Sequence, residues 1–421
     1  MKHLPDFRSP AMLQAHLLHT LGFYDRRSVD SSGGLYQFFK DDGRVYDRQT
    51  RHLVSSTRYV ITFADAARVF AGHPDAGRWL DTARHALRFV EDVHRDADHG
   101  GYAWLLGWDQ GHKTVLDTSQ QCYGLAFVLL AQAHALRAGI AEAAPGLAQT
   151  FALMEGHFWE PVAGLYADEA DPDWRLRPYR GQNANMHACE AMLAAFEATG
   201  ERRYLERAEL LAQSVTQGLA ALAHGLIWEH YQVGADGAWQ PDWDYNRHDR
   251  SNIFRPWGFQ TGHLAEWAKL LLTLERLTPG LIASDPDNWR VRRARELFAA
   301  AVDHGWDRQH HGLVYGFAPR GDPAVDTAMV VCDGDKYHWV QAETLAAAAL
   351  LGERTGEGGY WDWYDRIWTY AWNHLVDHQH GAWYRILTPD NRKISDDKSP
   401  AGKVDYHNLG ACHEVLAALA R

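Results

Sequence analysis

Two histidines near the starts of apolar segments stand three residues ahead of a glutamate: His187 with Glu190, and His263 with Glu266. On a helix that spacing puts both groups on one face. A carboxylate placed so can steer an imidazole, or the pair can share a metal. A third histidine, His407, follows Tyr406, and Trp339, Gln341 and Glu343 fall within KYHWVQAE. Arg58 lies in STRYV, and Tyr123 opens another apolar segment. An unperturbed imidazole has a pKa of about 6.5, so it can take and return a proton near neutrality. The set therefore suits acid–base work on a substrate held by arginine and aromatic rings. Taken singly, a histidine at a helix start is more often a cap or a satisfied interior group, and Tyr123 and Gln341 read as packing residues as well.

The case for a shared site comes from the elements that carry these residues. A glycine followed by alternating aromatic and apolar residues recurs six times: GGLYQFF, GGYAWLL, AGLYADE, HGLIWEHY, HGLVYGF and HGAWYRI. The marker glycines are Gly34, Gly101, Gly164, Gly225, Gly312 and Gly381. Each reads as a tight turn entering a short strand. Between markers lie paired segments with apolar residues at helical spacing. One further helix precedes the first marker (MLQAHLLHTLGF) and one follows the last (DYHNLGACHEVLAALA). The pattern predicts twelve helices in six hairpins, an all-α (α/α)6 barrel formed by residues 1–421 as one domain, with short β-hairpin-like turns at one end. An open solenoid is the alternative; the half-repeats at the two termini favour closure.

The first helix of each pair is richer in Ala and Leu, its partner in Arg, Glu and Asp, so the first helices are expected inside. Arg58, Tyr123, His187, His263, Trp339 and His407 then all sit near the starts of inner helices, at one rim. A cap does not explain why four of six inner helices begin with His, Glu or Arg aimed at one place. The fourth interval is roughly twenty residues longer than the rest, the excess lying in VGADGAWQPDWDYNRHDRSNIFRPWG. A long polar loop beside an active rim is a candidate lid, with Arg255 and Trp257 facing the substrate.

Composition narrows the function further. Basic residues number 42 against 54 acidic, a net charge of −12, with no basic cluster. Nucleic acid and anionic membrane are poor partners for such a surface. No apolar run is long enough to span a bilayer, and the N-terminal residues lack the apolar core of a secretion signal. Four scattered cysteines without a CxxC pair suit a reducing cytoplasm. No HExxH-type motif points to a metal, and no glycine-rich phosphate loop points to a nucleotide, so neither metal nor cofactor is expected.

The segments NANMHACEAMLAAFEATG, GFQTGHLAEWAKLLL, WVQAETLAAAALL and KVDYHNLGACHEVL resemble the N-acylglucosamine 2-epimerase superfamily, with matching stretches from Arg51 to Leu416. FRPWGFQTGH and GKVDYHNLGAC are most similar to its aldose–ketose isomerase branch. The resemblance implies a proton shuttle between carbons 1 and 2 of a monosaccharide through a cis-enediol, interconverting D-mannose and D-fructose, with D-lyxose and D-xylulose as a further pair. A 2-epimerase of the same fold is the alternative. It also implies roles: Arg58 holds the reacting end, and His187 with Glu190 binds sugar. His263 with its carboxylate partner Glu266 opens the ring, His407 moves the proton, and Trp339 packs on the sugar. Asn183, Tyr123, Gln341, Arg255 and Trp257 complete the expected contacts. Two rivals remain: a glycoside hydrolase working with two carboxylates such as Glu190 and Glu266, and a sugar-binding protein without catalysis.

Overall fold

The computed structural model describes residues 4–249, 252, 254–278, 280 and 288–421. Among these, twelve α-helices form an (α/α)6 barrel. The inner ring is α2 (Leu53–Val69), α4 (Cys122–Arg137), α6 (Gln182–Thr199), α8 (Thr261–Leu277), α10 (His338–Thr355) and α12 (Tyr406–Leu419). The outer ring is α1 (Pro10–Tyr24), α3 (Ala76–Phe89), α5 (Ala143–His157), α7 (Arg202–Gln213), α9 (Trp289–Gly305) and α11 (Gly358–His374). Each inner helix packs on the next and α12 returns to α2, so the ring closes. The termini seal it: α1 packs on α12, and the strand Phe38–Lys40 pairs with Asp397–Ser399.

Composition decides which helices go inside. Nearly every residue of α2, α4 and α10 is buried, which suits an element hydrophobic all round. The run of alanines in α10, Ala346 to Ala349, lets its neighbours approach closely. The outer helices α3 and α7 instead bury one stripe, for example Trp79, Ala83, Ala86 and Leu87 of α3, and leave charges outside.

All six marker turns lie at the end of the barrel where outer helices finish and inner helices begin. Five inner helices start directly from a two- or three-residue strand, such as Phe259–Gln260 before α8 and Lys336–Tyr337 before α10. The marker glycines earn their place by conformation. Gly312 has φ of +76°, and a Cβ there would lie 2.4 Å from the Tyr370 ring. In the second turn the left-handed residue is Gly100 rather than the marker Gly101. None of the described helices is long and apolar enough to cross a membrane.

Candidate active site

The inner-helix N-termini bring Arg58, Tyr123, Asn183, His187, His263, Glu266, Trp339 and His407 around one cleft. At its centre stands Trp339, with ring centroids 5.1 Å from His263 and 5.6 Å from His407. The indole fits because position 262 is glycine. A Cβ on Gly262 would lie 2.3 Å from the Trp339 ring.

Each of the two histidines beside Trp339 is anchored by its own buried carboxylate. His407 Nδ1 lies 2.6 Å from Glu343 Oε1. Its Nε2 lies 3.3 Å from Nη2 of Arg58. A guanidinium only donates, so Nε2 must offer its lone pair and Nδ1 must carry the proton given to Glu343. His407 is thereby fixed as a neutral imidazole with a basic nitrogen facing the cleft. Burial, then the nearby Arg58 and Lys403, hold its pKa well below the usual histidine range.

His263 is held the same way, but not by the predicted residue. Its Nδ1 lies 2.9 Å from Glu229 Oε1, and Glu229 also accepts from Gln182 Nε2 at 3.0 Å. Trp267 Nε1 donates to Gln182 Oε1 at 2.8 Å, which fixes the amide's orientation. Glu266, one turn along α8, points elsewhere. It is buried, and neither carboxylate oxygen has a hydrogen-bond partner among the described residues. Burial and the neighbouring Glu343, against Lys269, hold its pKa well above the usual carboxylate range. The direction of that shift favours the protonated acid, and the side chain borders the cleft.

Arg58 is clamped in place. Its guanidinium lies between the rings of Phe127 and Tyr406, at 4.6 and 4.8 Å. It also donates to the carbonyl of Gly402 and, at 3.5 Å, to the Tyr123 hydroxyl. His187 Nδ1 lies 2.9 Å from Glu190, and the Tyr406 hydroxyl donates to the same carboxylate. Burial lowers the His187 pKa to about 4 against the pull of Glu190. The His187 hydrogen bond, followed by Lys269, overcomes burial to hold Glu190 at about 2. Glu190 is thus spent on positioning, which leaves the paired-carboxylate hydrolase reading without its second group. The Asn183 Oδ1 atom has no partner among the described residues and borders the cleft.

Four expected contacts lie off the cleft, the first being Glu190, held by His187 and Tyr406. Gln341 brackets the fifth turn, accepting from Leu313 N and donating to Leu313 O, both at 2.8 Å. Asn185 does the same for Tyr166 in the third, so this is how a buried amide ties a turn to its helix. Arg255 pairs with Glu169 at 2.9 Å and lies 3.9 Å over the Tyr179 ring. Trp257 donates to the Trp243 carbonyl at 2.7 Å. Both fasten the long segment, whose residues Arg250, Ser251 and Ile253 lie outside the described ones. The neighbours of these anchors, Phe254 and Pro256, line the cleft instead. Phe254 stacks on His52 at 6.3 Å, roofing the site.

Lys403 and Tyr315 also border the cleft and were missed. Burial, then Arg58, lowers the Lys403 pKa to about 7. Its signal was available in GKVDYH, a lysine four residues before the catalytic candidate His407, as Glu229 was in the turn motif HGLIWEHY. For a metal, two sets among the described residues bring three donors within 4.8 Å: His187, Glu190 and Glu266, and Glu266, Glu343 and His407. In each set the histidine Nδ1 already faces a carboxylate of the set, and Lys269 and Arg58 supply positive charge beside them.

Comparison with known proteins agrees with this geometry. The family model described as N-acylglucosamine 2-epimerase matches residues 33–411. A D-mannose isomerase from Marinomonas mediterranea is 48% identical, over 99% of both chains. A crystal structure of D-mannose isomerase superposes with a TM-score of 0.89 at 47% identity, covering 99% of this chain and 100% of that one. The cellobiose 2-epimerase of Spirochaeta thermophila superposes with a TM-score of 0.78 at 25% identity, covering 98% and 96%. With the ring, the rim histidines and the match along nearly the whole length in hand, the chain belongs to the N-acylglucosamine 2-epimerase family.

Proposed function

We propose that this protein is an aldose–ketose isomerase interconverting D-mannose and D-fructose, with D-lyxose and D-xylulose as smaller substrates. The observation that carries the reading is the pair of histidines flanking Trp339, each with Nδ1 tied to a buried carboxylate and Nε2 on the cleft side, where that of His407 accepts from Arg58. The full-length similarity to proteins named D-mannose isomerase supports the choice of sugar. Residues 1–421 act as one catalytic domain, in the cytoplasm, on the free monosaccharide.

In this reading His263 Nε2 takes the anomeric hydroxyl proton while protonated Glu266 gives a proton to the ring oxygen, and the ring opens. His407 Nε2 then removes the proton on C2. The C2–H electron pair becomes the C1–C2 double bond, and the aldehyde oxygen takes the displaced charge. Arg58 stabilises that enediolate, together with the positive ends of the six inner helices that start around the cleft. The O2 proton passes to O1, which moves the charge to O2; His407 then returns its proton to C1 as the O2 electron pair closes the C2 carbonyl, leaving the ketose. Neither step calls for a metal or a nucleotide: proton movement and charge stabilisation are both supplied by side chains. Activity should accordingly persist after exhaustive chelation. Loss that is restored by one divalent ion would show that one of the two donor sets holds a catalytic metal.

A 2-epimerase is the second reading, favoured by the equal anchoring of His263 and His407. Two bases on opposite faces of C2 would return the proton to C2. Product analysis from mannose separates the two: fructose means isomerase, glucose means epimerase.

A further inference from the structure

Behind the catalytic layer the barrel is not solid. A cavity of about 290 Å³ opens at the far end, where the inner helices finish, and reaches back to His407 and Glu343. Along its wall runs a chain of charges that the reaction scheme does not use. Glu343 Oε2 lies 2.8 Å from Lys269 Nζ, and Lys269 Nζ lies 3.5 Å from Glu414 Oε1. Lys269 and Glu343 are almost wholly buried, whereas the Glu414 side chain is 35% exposed. Lys269 is thus a lysine with no route to the cleft, held between the carboxylate that orients the base and one that meets solvent.

We infer that Lys269 and Glu414 are positioning residues that set, in opposite directions, the proton affinity of the Glu343–His407 pair. The rear cavity keeps that pair in contact with bulk water while sugar fills the front. The inference deepens the isomerase reading and rests on it for its role in turnover. The active pair is one proton short, with Glu343 ionised and His407 neutral. A positive charge at 2.8 Å resists the added proton, and a negative charge behind it invites one. The other groups facing the pair are Glu266 from α8, Glu190 and His187 from α6, Arg58 from α2, His338 from α10 and Lys403 from the loop before α12. Burial raises Glu343 to about 7 even against Lys269, so small changes in this chain act within the working pH range. The two residues must then move the pair oppositely, whichever of its atoms takes the proton.

The experiment measures the titration midpoint of the His407 ring by NMR in the free protein, the signal being assigned by its absence from His407→Asn. The acid limb of kcat is followed in parallel. Lys269→Met should raise both midpoints by roughly one pH unit or more. Lys269→Arg should restore them, and Glu414→Gln, at a solvent-reaching position that tolerates change, should lower them. Midpoints that stay put, or that move the same way in both Lys269→Met and Glu414→Gln, would overturn the inference. If the wild-type protein makes no ketose from mannose, the isomerase reading fails, while the ring titration still decides this one.

Discussion

At the scale of residues, the account turns on which nitrogen of each histidine is free. Arg58 beside Nε2 and Glu343 beside Nδ1 leave His407 a base at neutral pH, since its pKa is pushed down by burial and by two cations. His407→Asn keeps size and some hydrogen bonding but removes the base. Exchange of the C2 proton should fall by a factor of roughly 10² or more, with sugar binding retained. A near-normal exchange rate would mean that another group, with Glu266 first in line, takes the proton. For His263 the structure replaces one partner with another. Glu229→Gln should slow turnover of ring-closed sugar by roughly tenfold or more, because the imidazole loses the acceptor that fixes its tautomer. Measuring turnover against the fraction of open-chain sugar checks this; an unchanged rate would return the orienting role to Glu266. The sequence could offer Glu266 because helical spacing is visible along a chain. It shows Glu229 in HGLIWEHY but not its pairing with His263, which Glu229 reaches from a turn 34 residues earlier through a barrel contact.

At the scale of elements, the inner helices and turns were legible because their signals are local: small apolar residues on every side, and a glycine where the chain must take a positive φ. The direction in which loop residues face was not. Arg255 and Trp257 carry the chemical types that suggest a sugar contact, yet both are consumed in fastening the segment, and the plainer Phe254 and Pro256 reach the cleft. The cleft itself is narrow, about 30 Å³, and Phe254 and Pro256 form part of its wall. Phe254→Ala should therefore change KM and kcat together while leaving Tm nearly unchanged, as Phe254 is 45% exposed. A fall in Tm of many degrees would instead make the segment structural. Gly262→Ala tests the floor of the site. Its Cβ would push Trp339 out from between the two histidines, so activity should drop at least tenfold with the helix content intact by circular dichroism. Full activity would show that the indole has another place to sit.

At the scale of the whole molecule, closure is what makes the residues a site. His263 and His407 belong to the fourth and sixth inner helices and flank Trp339 of the fifth, which packs between them, and Arg58 of α2 reaches His407 because α12 packs back onto α2. The recurrence of polar residues at inner-helix starts was enough to foresee one rim, since six hairpins of similar length must bring those starts together. The charge chain behind the rim was not foreseeable in this way: Lys269 and Glu414 sit two turns into their helices, where a sequence pattern marks them only as surface groups. The claim that joins all three scales is proton transfer through an enediol at this rim. Incubating the wild-type protein with D-mannose in heavy water, and locating deuterium in the products by NMR, tests it most directly. The account predicts D-fructose carrying solvent deuterium on one face of C1, and its loss in His407→Asn. Fructose free of solvent deuterium and formed as fast by His407→Asn would mean a direct hydride shift, and glucose deuterated at C2 would mean an epimerase; either result would contradict the account.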